Sequence, residues 1–269
     1  MVPPRWRYRS GATGMKDAAI ILVGHGSARH PDSAAPIIAL AAELKRRGPW
    51  AEAAAVFMKQ PPHLDQALDL VEAENVVVIP VFAGKGYYTD SLIPKAMGLD
   101  GPETRRQGRN ILYTAPAGGN PRIPGLMACR ADGVAREQGW APAETSLLLI
   151  AHGSSRPGGA GDTPRAIAAA IAGHNHFAEV VLVFLEQEPL ATHWPQMVKG
   201  DKVVALPLLV AQGMHASQDI PPLFGLVSGQ TGPVEIHDRT VVLATGLGAE
   251  PELVDIIAEM AETALSARP

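Results

Sequence analysis

Two stretches of this chain repeat each other at a fixed offset, and that register constrains the fold more than any other property of the sequence. Gly24-His25-Gly26-Ser27 follows the apolar run Ala19–Val23, and Ala151-His152-Gly153-Ser154 follows Leu147–Ile150, with His152 standing 127 positions after His25. The same 127 relates Arg29 to Arg156, Phe57 to Phe184, Pro62 to Pro189, Pro80 to Pro207, Gly86 to Gly213, Ile93-Pro94 to Ile220-Pro221 and Gly98 to Gly225. An unbroken register over about 75 residues marks a tandem duplication of a domain, because solenoid repeats are much shorter. The copies differ where chemistry would occur. Lys59 aligns with Glu186 and Tyr88 with His215, so one copy carries His-Lys-Tyr and the other His-Glu-His.

A chain of 269 residues accommodates two domains of ordinary size, each with its own core. A formal net charge of −4 argues against a general nucleic-acid binder. The lone Cys129 excludes an intramolecular disulfide and a four-cysteine iron–sulfur cluster within one chain. No apolar stretch approaches the ~20 residues a membrane span needs. Residues 1–16 place Arg5, Arg7, Arg9 and Lys16 among prolines and glycines, without the apolar core of a secretory signal. They read as a disordered basic tail, or as an over-long start ahead of Met15, and a cytoplasmic location follows. Oligomeric state stays open, a homo-oligomer included.

Short apolar runs alternate with amphipathic stretches, the pattern of βαβ units and a parallel sheet. Strands are predicted at Ala18–Val23, Ala53–Met58, Asn75–Phe82 and Asn110–Thr114, then at Ser146–Ala151, Glu179–Leu185, Lys202–Val210 and Thr240–Thr245. Asp32-Ser33 is placed to cap a helix that runs to Gly48, and a counterpart opens at Thr163-Pro164 and stops near Gly173. The relationship continues at a slightly longer offset, with Gly118 and Gly248 130 apart. The junction falls in Gly139–Glu144, which divides the chain into domains 17–141 and 142–269. Four strands and about four helices per copy point to an α/β, three-layer, doubly wound domain, in which ligands bind beyond the carboxyl ends of the strands. That rule brings His152, Glu186 and His215 to one sheet edge.

Two imidazoles and a carboxylate are a normal ligand set for a divalent first-row metal. A short helix at Ser217–Gly225 would favour a neutral His215 ring at its N-terminus. Arg29 and Arg156, just after each H-G-S, read either as surface residues or as clamps for ligand carboxylates. Tyr87 and Tyr88 either line a ligand site or pack. His174 and His176 read as solvated loop residues. The sequence lacks G-x-x-x-x-G-K-[ST], and the first strand is not followed by G-x-G-x-x-G, so no ATP or dinucleotide site is expected. H-G-S-S-R is not the G-x-S-x-G nucleophile elbow, although a hydrolase using Ser154 remains a competing reading.

H-G-S after the opening strand, F-L-E in the second strand, and P-L-x-x-x-x-G-x-H-x-x-x-D-I-P from Pro207 to Pro221 together resemble the sirohydrochlorin cobaltochelatases of the CbiX type. These are ATP-independent class II chelatases. The resemblance covers roughly residues 17–269. It implies two flavodoxin-like lobes with the active site in the cleft between them, and insertion of a divalent metal into a tetrapyrrole in cobalamin or sirohaem biosynthesis. The metal is a substrate, Co²⁺ first, with Fe²⁺ or Ni²⁺ in relatives, and neither ATP, nucleotide nor an Fe–S cluster is used. His152 and His215 match the family's active-site histidines and Glu186 an acidic metal contact, which assigns catalysis to the second copy. The first copy, where His25 stands with Lys59 and Tyr88, is then a degenerate site. Arg29, Arg156, Ser154, Tyr88, His25 and Lys85 are expected to contact substrate, whose carboxylate arms the basic groups would hold. The competing readings are a ferrochelatase and, from another class, a non-catalytic tetrapyrrole or metal carrier.

Overall fold

The computed structural model describes residues 15–154, 161–210 and 219–267. The chain runs β1 (Ala18–Gly24), α1 (Ala35–Arg47), β2 (Glu52–Phe57), β3 (Asn75–Pro80), α2 (Ile93–Met97), β4 (Glu103–Arg106), β5 (Arg109–Tyr113) and α3 (Ile123–Glu137). It continues with β6 (Ser146–Ala151), α4 (Asp162–Ala172), β7 (Glu179–Phe184), α5 (Trp194–Met197), β8 (Lys202–Pro207), β9 (Val234–Ile236), β10 (Arg239–Leu243) and α6 (Leu253–Ser266). Two five-stranded sheets form, in the orders β2-β1-β3-β5-β4 and β7-β6-β8-β10-β9. β2 and β7, and β3 and β8, keep the offset of 127, and β5 and β10 the offset of 130.

Four strands of each sheet are parallel, as the apolar runs predict. All seven residues of β1 and all six of β6 are buried, because layers cover both faces of a central parallel strand. The fifth strand is a difference from the sequence reading: β4 and β9 add antiparallel edges to β5 and β10. Each is joined by a two-residue turn with positive φ at both positions, Gln107-Gly108 (51° and 73°) and His237-Asp238 (51° and 57°), the geometry that matches the twist of a tight hairpin. Glu103-Thr104-Arg105-Arg106 is polar and largely exposed, so no hydrophobic pattern announces it.

Helix starts also depart slightly from expectation. Residues 31–34 form a 3₁₀ turn leading into α1, so Asp32 and Ser33 lie inside that turn instead of capping a helix. α4 begins at Asp162, one residue before the expected Thr163. Of the helix expected at Ser217–Gly225, the described part is a 3₁₀ turn, Pro221–Phe224, ended by a left-handed Gly225 (φ 68°).

The compact units do not follow the repeat. Among the described residues, one gathers those up to Asn120 with those from Glu250 onward, and the other lies within Pro121–Ala249. α6 packs on β3 and α1, and α3 packs on β8 and α4, so each sheet is covered by the helix that the 17–141 and 142–269 partition assigns to the other. In the first unit Arg47 of α1 donates to Asp255 of α6 at 3.0 Å. Its core includes Ile21, Val23, Val56, Leu64, Val78 and Ile93. The second core surrounds Trp194 and Phe224 with Leu148, Ile150, Val183 and Leu243. No helix among the described residues is long and apolar enough to cross a membrane.

Candidate functional site

In both units the chain leaves the sheet centre at the same point. β1 pairs with β2 on one side and β3 on the other, and β6 likewise with β7 and β8. This reversal of strand order is where doubly wound sheets hold ligands, beyond the carboxyl ends of the strands. H-G-S follows the central strand there, and its glycine takes a left-handed conformation: Gly26 at φ 65° and Gly153 at φ 75°.

The parallel ladder runs one step beyond each central strand. The Lys59 N–H donates to the His25 carbonyl at 3.0 Å, and the Glu186 N–H donates to the His152 carbonyl at 2.9 Å. Residues 25 and 59, and 152 and 186, are therefore neighbours by backbone register, whatever side chains they carry. In the second unit this puts the His152 Nδ1 3.7 Å from the Glu186 Oε2. In the first it sets a lysine in the carboxylate's position, which reverses the charge beside the histidine.

Each imidazole folds back onto its own turn. His152 Nδ1 lies 3.1 Å from the Gly153 carbonyl oxygen, and His25 Nδ1 lies 2.8 Å from that of Gly26. A carbonyl oxygen can only accept, so a hydrogen bond at this contact requires the proton on Nδ1, and in the neutral ring that leaves Nε2 as the acceptor nitrogen. That tautomer leaves the basic, metal-ligating function on Nε2.

Tyr88 sits edge-on to the His25 ring, with centroids 5.6 Å apart, and itself packs against Tyr87 and Phe82. Its segment is anchored by the Tyr113 hydroxyl, which donates to the Thr89 carbonyl at 2.7 Å. Burial, with the nearby Asp90 charge, raises the Tyr113 pKa far above its ordinary value, so it stays a donor. A separate hollow of about 320 Å³ in this unit is lined by Phe57, Met58, Lys59, His63, Leu64, Asp65, Leu92 and Ala96 and has no wall from His25 or Tyr88.

Of the residues expected in the site, the structure thus brings together His152 with Glu186, and His25 with Tyr88. Ser154 holds its place through its backbone, and Arg29 and Lys85 are exposed on the loops beyond β1 and β3. His215 and Arg156 lie outside the described residues, as do Gly213 and Ser217. Among the described residues no three His, Cys, Asp or Glu side chains cluster as a metal cage. His174 and His176 are exposed residues of the loop after α4, as expected, and the His176 Nε2 in addition lies 2.9 Å from an Asp132 carboxylate oxygen, with its ring edge-on to Phe177.

Sequence reasoning missed two pairs that the offset of 127 would have exposed. Gln60 and Gln187 accept from the backbone N–H of Ser27 (2.7 Å) and Ser154 (2.9 Å). Glu52 accepts from the N–H groups of Glu72 and Ala73, and Glu179 from those of Lys199 and Gly200.

The CbiX family model matches residues 19–133 and 146–264. The chain is 26% identical over 267 residues to the probable sirohydrochlorin cobaltochelatase of Halobacterium salinarum, covering 91% of each. Among solved structures it is similar to DR2241 of Deinococcus radiodurans, a multi-domain protein with structural similarity to chelatases (TM-score 0.73, 27% identity). That match covers 91% of this chain and 54% of DR2241, so the chain spans about half of it. It is also similar to the CbiX described as the terminal enzyme for biosynthesis of siroheme in denitrifying bacteria (TM-score 0.70, 25% identity, 92% and 98% covered).

Proposed function

Since the chain belongs to the CbiX family, we propose that it is an ATP-independent chelatase that inserts a divalent metal, Co²⁺ before Fe²⁺ or Ni²⁺, into sirohydrochlorin or a related tetrapyrrole. It would serve cobalamin or sirohaem synthesis. The observation that carries the assignment to the second copy is the His152–Glu186 pair, held face to face by ladder register while the duplicate position holds Lys59.

Metal insertion removes two N–H protons from the macrocycle and exchanges the metal's waters for four ring nitrogens. The His152 Nε2, with Nδ1–H engaged by the Gly153 carbonyl, is suited to take a proton or hold the incoming ion. An anionic Glu186 beside that ring offsets the charge of an imidazolium or of the metal. His215 is proposed as the second imidazole of the set. Arg29, Arg156 and Lys85 suit the carboxylate arms of the substrate, as guanidinium pairs with carboxylate bidentately. Tyr88 and His25 offer an aromatic face to a planar ring. New metal–nitrogen bonds and released protons supply the driving force without a nucleotide.

The test is an absorbance assay with sirohydrochlorin and Co²⁺, Fe²⁺ or Ni²⁺. General acid–base groups contribute roughly 10²–10⁴-fold, so His152→Ala and His215→Ala are each expected to lower kcat about 100-fold or more. Absence of any enzyme-dependent spectral change with all three metals would sink the chelatase reading. Loss of activity in His25→Ala but not in His152→Ala or His215→Ala would overturn the assignment to the second copy. Full rates in both latter variants would favour a carrier.

A further inference from the structure

Gln187 follows Glu186 directly, and its side chain engages the H-G-S turn. Its Oε1 accepts from the Ser154 N–H at 2.9 Å. That N–H and the Gly153 carbonyl belong to one peptide unit, which is planar and resists twisting. The carbonyl at the other end of this plane is the acceptor for His152 Nδ1, at 3.1 Å. A single rigid plane therefore connects the glutamine amide to the imidazole.

The glutamine is itself confined. A Cβ on Gly153 would stand 2.6 Å from the Gln187 Cγ, and one on Gly161 would stand 2.7 Å from the Gln187 Nε2. The side chain thus occupies space left by two glycines, one in the turn and one at the entrance to α4. The first unit repeats the device. Gln60 Oε1 accepts from the Ser27 N–H at 2.7 Å, Gly26 O meets His25 Nδ1 at 2.8 Å, and the Gln60 Nε2 donates to the Pro31 carbonyl at 3.1 Å. The side chains beside the histidine differ between the two units (Lys59 against Glu186), while the glutamine, the serine N–H and the glycine carbonyl are the same. The arrangement follows the histidine and not its neighbours.

We infer that Gln187 is a positioning residue that sets the tautomer of His152. By fixing the 153–154 peptide plane it keeps the Gly153 carbonyl on Nδ1–H and so keeps Nε2 as the acceptor nitrogen. This rests on the chelatase reading only for its consequence, that proton removal or metal transfer slows when the plane is released. The tautomer itself is independent of that reading.

The experiment uses full-length protein labelled with ¹⁵N-histidine, with His152 assigned through loss of its signals in His152→Gln. Two-bond ¹H–¹⁵N correlations distinguish the Nδ1–H from the Nε2–H ring. Wild type is expected in the Nδ1–H form. Gln187→Met keeps the length but removes the acceptor, and is expected to move His152 toward the Nε2–H form that a free ring favours in water. Gln187→Glu keeps an acceptor oxygen and is expected to retain Nδ1–H. Gln60→Met is expected to shift His25 and leave the His152 tautomer unchanged. Supporting groups behind a metal-binding histidine are worth about 10–100-fold, so kcat for metal insertion is expected to fall at least tenfold in Gln187→Met with KM for the tetrapyrrole within twofold. An Nδ1–H His152 in folded Gln187→Met would overturn the inference, as would loss of that tautomer in Gln187→Glu. If Gln187→Met does not fold, Gln187→Ala takes its place, with the same outcomes deciding. A tautomer shift as expected, in a protein with no insertion activity even as wild type, would refute the chelatase reading and leave this one standing.

Discussion

Replacing Gly118 by alanine would place a Cβ 2.4 Å from the Ala83 carbonyl oxygen, 2.5 Å from its carbon and 2.6 Å from its Cα. A carbon and a carbonyl oxygen approach to about 3.3 Å at closest comfort, so the shortfall is roughly 0.9 Å. Every one of these neighbours is backbone and cannot swing aside. The Gly118 N–H also donates to the Phe82 carbonyl at 2.9 Å, which ties the same two segments together. Relief requires the loop after β3 to move, and that loop carries Tyr88 to His25, with Tyr87 packed on Tyr88. Overpacking of this kind costs about 1–3 kcal/mol, and an obstacle made of main chain belongs at the upper end, about 2–3 kcal/mol. At about 3 °C per kcal/mol for a unit of this size, the midpoint of thermal unfolding is expected to fall by about 6–9 °C. Gly119→Ala is the control, because a Cβ there meets nothing within 4 Å. The measurement is thermal unfolding followed by near-ultraviolet circular dichroism. A midpoint for Gly118→Ala within about 1 °C of wild type, matching Gly119→Ala, would refute the steric argument.

The exchange of α3 and α6 predicts that fragments 17–141 and 142–269 are each poorly folded alone, since each lacks the helix that covers its own sheet, and that mixing them restores native circular dichroism. Cooperative unfolding of either fragment by itself would contradict this. Glu179 gives a pH signature. Burial raises its carboxyl pKa, but the Lys199 and Gly200 N–H groups, the Ser146 hydroxyl and the Lys199 charge outweigh this and hold it below the ordinary glutamate value. A carboxyl depressed in the folded state contributes stability that is complete above its unfolded pKa and is lost as pH falls through the folded one. Glu179→Gln is therefore expected to cost about 1 kcal/mol at pH 6, a low value for bonds to a charged acceptor that is partly solvated, and less at pH 3, as urea titrations at both pH values would show. Equal costs at the two would exclude the linkage. Glu186→Lys copies the first unit's charge onto the second and is expected to reduce metal insertion about 100-fold while leaving thermal stability within about 1 kcal/mol, the range for an exposed position. Retained insertion rates would remove Glu186 from the proposed site.

The sheet centre was legible because its physics is local. Val76–Ile79 and Leu147–Ile150 are buried on both faces, so burial writes itself into the sequence as an apolar run. The pairing of residues 152 and 186 was legible for another reason: aligned copies must share a ladder register, so a mismatch in sequence becomes a mismatch at one place in space. The edge strands β4 and β9 were not, since an edge is defined by the hydrogen bonds it receives and Glu103–Arg106 buries little. Gln187 was legible in principle through its match to Gln60, but a glutamine carries no signal of its own until its acceptor is seen against a serine N–H.

By itself, the sequence determined that two like α/β units exist, which strands are central, and which side chains stand beside each histidine. Only the tertiary structure decided which helix covers which sheet. The buried face of α6 (Leu253, Val254, Ile256, Ile257 and Ala261) suits any apolar sheet surface, and hydrophobic burial is non-directional, so the sequence names no partner. The position of its landing in the fold, sealed by Arg47 and Asp255 208 residues apart, is a property of the folded chain.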